Sequence, residues 1–154
     1  MPALPPFQAL LDHHADDVFG FLVASVGRQD AEDCFQETVI AALRAYPRVR
    51  RGDNLRGWLL TIAHHKAIDA HRARRRRPAP VEEVRGDAVR DPEPADGTLW
   101  SAVDDLPPKQ RSAVLLRFVG DLPHRDIART LEISEPAARR NLHEGLRKLH
   151  EVMT

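Results

Sequence analysis

Apolar residues recur at helical spacing through this chain in two blocks, and the blocks are separated by twenty residues that show no such pattern. Phe7, Leu10, Leu11, His14, Val18, Phe21 and Leu22 fall at i, i+3, i+4, i+7, i+11, i+14 and i+15, one face of a long amphipathic helix. That helix is entered after Pro5-Pro6 and ended near Gly27. A second is expected from an N-cap at Asp30, with Phe35, Val39, Ala42, Leu43 and Tyr46 inward and Pro47 as its stop. A loop over Arg48–Asn54 leads to a third, capped by Asn54 or Asp53, with Leu55, Trp58, Leu59, Ile62 and Ala63 inward, running to about Arg75. No segment sustains the period-two alternation of a half-buried strand, so the fold class is all-α.

Between Pro78 and Gly97 four prolines fall among acids and small residues, which is the composition of an extended, self-repelling linker. Helical pattern resumes near Thr98 with Leu99, Trp100 and Val103. Pro107-Pro108 opens a helix that Gly120-Asp121 ends. A short helix over about His124–Leu131, a turn at Glu132–Ser134 and a last helix from Glu135 follow. The expected organisation is two small helical domains, 1–77 and 98–154, joined by the linker 78–97.

The composition excludes several classes of protein. No apolar run approaches the roughly 18 residues that span a bilayer, so no membrane insertion is expected. Residues 1–7 lack the basic cluster and apolar stretch of a secretory signal, and Cys34 is the single cysteine, so the expected compartment is the cytosol. The 23 Lys+Arg balance 23 Asp+Glu, which at first argues against a nucleic-acid partner. The charge is segregated, however. Residues 1–43 carry a net −6, 44–77 a net +9, 78–108 a net −6 and 109–154 a net +3. Each block acts on its own surroundings, because salt screens charges over about 8–10 Å. Arginine supplies twenty of the 23 cations and forks onto phosphate oxygens. The acidic blocks are also placed to hold the free chain's basic surfaces.

The C-terminal half carries a helix-turn-helix pattern. Ile127 and Ala128 lie on its first helix, Ile133 in the turn, and Ala138 and Leu142 on the second, where Ser134 can cap and Pro136 is tolerated. With Ala138, Leu142, Leu146 and Leu149 inward, the opposite face shows Ala137, Arg139, Arg140, His143 and Arg147, side chains suited to the major groove. A plain helical hairpin with a solvated basic face has the same spacing. In the first half, Arg72, Arg74, Arg75, Arg76 and Arg77 end a helix, where cations favour the helix dipole and can also meet phosphates. The cationic loop ahead of Trp58 could hold a single strand or a flipped base, although Trp58 fits the core face equally well.

Taken in order, Asp30-Ala-Glu-Asp33, Gln36-Glu37-Thr38, Gly52-Asp-Asn-Leu-Arg-Gly-Trp58-Leu-Leu-Thr-Ile-Ala63, Ala67-Ile-Asp69 and the arginine run resemble bacterial sigma factors of the extracytoplasmic-function (ECF) type. So do Leu106-Pro-Pro-Lys-Gln-Arg111, Leu115-Leu-Arg-Phe118, Asp126-Ile-Ala128, Leu131-Glu-Ile-Ser134-Glu135 and the basic last helix. The resemblance covers nearly the whole chain apart from the linker. It implies a non-enzymatic transcription initiation factor that binds core RNA polymerase and promoter DNA, with an anti-sigma factor as a further partner and no cofactor.

By position, the resemblance puts Asp33, Gln36 and Glu37 against polymerase. Arg48, Arg50, Arg51 and Asn54 would form the specificity loop for an unstacked base of the −10 element, and Arg56, His64, His65, His71 and Arg72 would lie along the strand-melting helix. Ser134, Glu135, Ala137, Arg139, Arg140 and His143 would face the −35 groove, with Lys109, His124 and Arg125 near phosphates. The linker would thread the polymerase toward the RNA exit path. This chain departs from the family pattern at His65, where Asn is frequent, at Glu132, where Gly is usual, at Ala137-Ala138, where Thr-Val is common, and at Glu144-Gly145, where basic residues are common. A left-handed Glu132 would cost on the order of 1 kcal/mol, and Gly145 weakens a helix by a similar amount. An unusual or weak −35 readout is therefore expected.

Other functions fit less of the chain. His13-His14 and His64-His65 are adjacent pairs that point about 100° apart on a helix, and no His-Glu-x-x-His spacing occurs, so a metal hydrolase is not indicated. No cation flanks Cys34 to activate it, which makes it a buried, inert thiol. A stand-alone helix-turn-helix regulator accounts for the second half but not the first. A non-initiating polymerase-binding module accounts for both halves but not for promoter-dependent transcription.

Overall fold

The computed structural model describes residues 4–50, 54–76 and 97–153. Among these the chain forms seven α-helices and no strand: α1 (Phe7–Val26), α2 (Arg28–Ala45), α3 (Leu55–Arg76), α4 (Gly97–Asp104), α5 (Pro108–Phe118), α6 (His124–Leu131) and α7 (Glu135–Met153). The all-α expectation and the element order are met. The linker positions 78–96, together with Arg51 and Arg77, lie outside the described residues.

Helices α1, α2 and α3 pack on one another as a three-helix unit, and α4 to α7 form a second. In the first, Leu10, Val18, Phe21 and Leu22 of α1 meet Leu59, Leu60, Ala63 and Ala67 of α3 in the core. The core seam of α2 is Ala31, Cys34, Thr38 and Ala42, a stripe of small residues that lets three helices approach closely. Of the expected inward face, Ala42 is buried and Phe35, Val39 and Tyr46 are half-buried, but Leu43 is not inward. Leu43, placed inward from the sequence, is 56% exposed, because a step from Ala42 to Leu43 turns about 100° around the helix. The Thr38 hydroxyl donates to the Cys34 carbonyl at 2.7 Å, which settles a buried polar group inside the helix.

Helix α2 begins two residues ahead of the expected Asp30 cap. Gly27 takes φ 86° between α1 and α2, and its carbonyl accepts from the Ala31 amide. Asp30 then lies in the first turn, where a carboxylate favours the helix dipole, and Arg74 of α3 meets it at 2.9 Å. After α2, a single 3-10 turn over Tyr46–Arg48 carries Pro47. The Tyr46 ring sits against Phe7 and Trp58, and its hydroxyl donates to the Pro5 carbonyl, which ties the α2 end to the start of α1.

The second unit is built around Leu106, Leu115, Leu116, Leu122, Ile127 and Leu142. Helices α6 and α7 are joined by the turn at Glu132, which adopts the left-handed conformation at φ 59° and ψ 46°. The Ile133 amide closes that turn onto the Ala128 carbonyl at 3.0 Å. The Ser134 hydroxyl accepts from the Ala137 amide at 3.1 Å and caps α7 as expected. On α7 the inward set is Ala138, Leu142, Gly145 and Leu149, and Leu146 is 38% exposed rather than buried. Gly145 replaces it at the crossing with α5, where a Cβ would stand 2.9 Å from Val114 Cγ2. The same glycine that weakens α7 as a helix is what allows α5 to lie against it.

Candidate functional site

The outward face of α2 is one contiguous surface. Asp33, Gln36 and Glu37 are all exposed, and Ile40 at 50% and Leu43 at 56% continue the same face one turn on. An apolar pair beside acids and an amide, exposed among the described residues, suits a protein partner. The sequence reading found the three polar residues and missed Ile40. The signal was present in the i, i+4, i+7 spacing of Gln36, Ile40 and Leu43.

The basic end of the first unit is organised around the start of α3. Asn54 Oδ1 accepts from the Gly57 amide at 3.1 Å, so Asn54, one of the two expected caps, caps α3, while Asp53 lies outside the described residues. Arg56 donates from Nε to Asp17 at 3.0 Å and from Nη1 to the Gly120 carbonyl. Together with the Arg74–Asp30 pair, this puts two acids of the first block against two cations of the second. Arg48, Arg50, His65 and Arg72 have exposed side chains, and Arg51 lies outside the described residues. His64 is different: it is 7% exposed and enclosed. Burial first, then His65 and Arg111, push its pKa down to about 4, so it is a neutral imidazole. His71 is half-buried, its ring nitrogen is 3.0 Å from the Ser25 carbonyl, and burial followed by Arg111 lowers its pKa.

In the second unit, α7 presents Arg139, Arg140 and His143 to solvent, with Ala137 half-buried beside them. Glu135 pairs with Arg139 at 2.8 Å, so one acid of the first turn is already neutralised by its i+4 neighbour. Glu144 accepts from Gln110 Nε2 at 3.2 Å, on the side facing α5. Lys109 and Arg125 are exposed, and His124 is half-buried at the start of α6. The small Ala137, the cap Ser134 and the cations form a convex helix face of groove-reading type. Cys34 is buried, with its thiol raised to about 11 by burial and four acids, as an inert thiol should be. Among the described residues, no group of three or more His, Cys, Asp or Glu could hold a metal ion, and no helix is long and apolar enough to cross a membrane.

The two units touch. Asn54 Nδ2 lies 3.2 Å from Asp126 Oδ2 of α6, Thr61 and Thr130 share a hydrogen bond of 2.8 Å, and Leu122 packs over Gly57. His64 and His71 of α3 face Arg111 and Ser112 of α5 in the same seam.

Residues 10–77 match the Sigma-70 region 2 family, and residues 97–149 match Sigma-70, region 4. The chain is similar to RNA polymerase sigma factor CarQ of Myxococcus xanthus, at 34% identity over 96% of this chain and 88% of that protein. It is similar to ECF RNA polymerase sigma factor SigE of Mycolicibacterium smegmatis, at 31% identity over 98% of this chain, and it spans 63% of that protein's length. Among solved structures, the sigma factor RpoE in complex with the anti-sigma factor NepR from Bartonella quintana superposes with a TM-score of 0.77 at 21% identity, over 96% of each chain. CnrH in complex with the cytosolic domain of CnrY gives 0.72 at 19% identity, over 96% of this chain and 86% of that one. Both show the same fold.

Proposed function

Because the chain belongs to the ECF RNA polymerase sigma factors, which direct polymerase to promoters, we propose a division of that work between its two helical units, 1–77 and 98–154, with 78–97 as the linker between them. Asp33, Gln36 and Glu37 on α2, joined by Ile40 and Leu43, dock on core RNA polymerase. Arg48, Arg50, Arg51, Asn54, Arg56, His64, His65, His71 and Arg72 serve the −10 element, where an opened strand needs cations for phosphates and a loop for a splayed base. Arg139, Arg140 and His143, with Ser134, Glu135 and Ala137, enter the −35 groove, and Lys109, His124 and Arg125 hold its flanking phosphates. Two solved relatives carry an anti-sigma protein or a partner's cytosolic domain, and an anti-sigma factor is a partner to be sought for this chain.

One observation carries this reading: the α2 face is exposed and partly apolar, while the two basic faces sit on other helices. Protein and DNA contacts are thus separable. Competition for core polymerase against a labelled sigma factor tests it. Glu37→Lys and Ile40→Asp should each weaken core binding with unchanged helix content and thermal midpoint. Normal competition by both variants would remove α2 from the interface.

A further inference from the structure

Two acids on α7 stand at the same spacing from two arginines, and among the described residues only one of the two pairs is made. Glu135 and Arg139 are four residues apart and meet at 2.8 Å. Arg140 and Glu144 are also four apart, in the reversed order. That order makes theirs the weaker attraction, so one competing hydrogen bond can divert it. Glu144 turns toward α5, where its Oε1 accepts from Gln110 Nε2 at 3.2 Å. Arg140 and His143 stay exposed.

The helix crossing sets Gln110 in place for this contact. Gly145 brings α7 so close to α5 that a Cβ on it would stand 2.9 Å from Val114 Cγ2 and 3.5 Å from Gln110 Cβ. Gln110 is 9% exposed, and its own Oε1 is buried with no hydrogen-bond partner among the described residues. A buried amide satisfied at one end costs stability that an apolar side chain of similar volume would not. The amide therefore serves orientation better than it serves packing. Glu144 and Gly145 both stand where basic residues are common, and the two departures act together. The glycine admits α5, and α5 supplies the donor that holds the acid.

We propose that Gln110 is a positioning residue for −35 readout: it holds the Glu144 carboxylate on the α5 side of α7 and so leaves Arg140 free for DNA. The inference rests on the sigma reading of α7. Released, the carboxylate would lie one turn from Arg140 and next to His143. There it would neutralise a cation and set a negative charge toward the phosphates. Gln110 itself touches no DNA and acts through Glu144.

A double-mutant cycle tests it. The full-length chain is titrated by fluorescence anisotropy, over a range of salt, onto a duplex carrying the −35 element of a promoter mapped from the 5′ ends of transcripts induced by overexpression. Gln110→Met removes the amide at similar volume. It should weaken binding about threefold and lower the dependence of log affinity on log[salt] by up to about 0.9, while the thermal midpoint holds or rises. In a Glu144→Gln background, which has no carboxylate to release, Gln110→Met should change neither affinity nor salt dependence. Gln110→Ala, a second variant without the amide, should show the same dependence on background whatever it does to the thermal midpoint. Equal losses in both backgrounds would overturn the proposal, because Gln110 would then act through packing alone. No loss in either background would overturn it as well. Arg140→Ala separates the two levels. If it leaves affinity and salt dependence unchanged, the −35 reading of α7 falls and the positioning with it. If it weakens binding while Gln110→Met does not, the positioning alone is lost.

Discussion

The side-chain amide of Asn54 spans the two halves of the chain: Oδ1 caps α3 at Gly57, and Nδ2 lies 3.2 Å from the Asp126 carboxylate on α6. The two roles separate by substitution. Asn54→Asp keeps an acceptor for the cap but sets one carboxylate against another, so it should open the seam with little loss of stability. Asn54→Ala loses the cap as well and should cost about 1 kcal/mol. Urea unfolding beside an intramolecular distance by energy transfer checks both. An unchanged distance in Asn54→Asp would remove this pair from the seam.

Glu132 holds the turn of the helix-turn-helix at φ 59°. A side chain with a Cβ is strained there, and Glu132→Gly should stabilise the chain by about 1 kcal/mol, read from the urea midpoint at constant slope. No gain would mean that the αL position costs nothing here.

Arg139 and Arg140 differ in what they must give up. Arg139 is held by Glu135 at 2.8 Å, so part of its charge is already used. Arg140→Ala should reduce the dependence of −35 duplex binding on log[salt] by about 0.9, Arg139→Ala by less, and the pair together by at most about 1.8. An unchanged slope in the double variant would rule out a phosphate or groove role for this face.

His64 makes folding pH-dependent. Its folded pKa is lowered to about 4 against 6.5 when exposed, and His71 is lowered too. His65 and Arg111 face the first, and Arg111, Arg74 and Asp104 surround the second. Below pH 6.5 the unfolded chain therefore binds more protons than the folded one, so stability is full above 6.5 and is lost as pH falls toward 4. His64 alone can account for about 3 kcal/mol across that window. Urea midpoints at pH 7.5 and 4.5 should differ, and His64→Gln should narrow the difference. An equal difference in that variant would place the sensitivity elsewhere.

Local chemistry made most of the helices legible in the sequence. Pro5-Pro6, Asn54, Pro107-Pro108 and Ser134 begin helices where expected, because caps and prolines act within a turn of themselves. The inward faces were less exact. Leu43 and Leu146 are apolar and at near-helical spacing yet exposed, whereas Ala42, also expected inward, and Gly145, not expected there, are buried. The reason is tertiary: close helix crossings select small residues, and hydrophobicity alone does not report the distance between axes. Gly145 read as a helix weakness and proved to be a point of approach to Val114. The seam was not legible at all. Thr61 and Thr130 are 69 positions apart, and no local pattern marks a hydroxyl that will find another across the fold. The segregated charge is realised instead within the first unit, as the Asp17–Arg56 and Asp30–Arg74 pairs.

Run-off transcription with purified core polymerase tests the central claim most directly, on a template chosen by sequencing the 5′ ends of transcripts induced by overexpression. The account predicts a discrete transcript that requires this chain and is lost when either the −10 or the −35 element is scrambled. A chain that binds the duplex tightly by itself yet never stimulates core on any such template would contradict it.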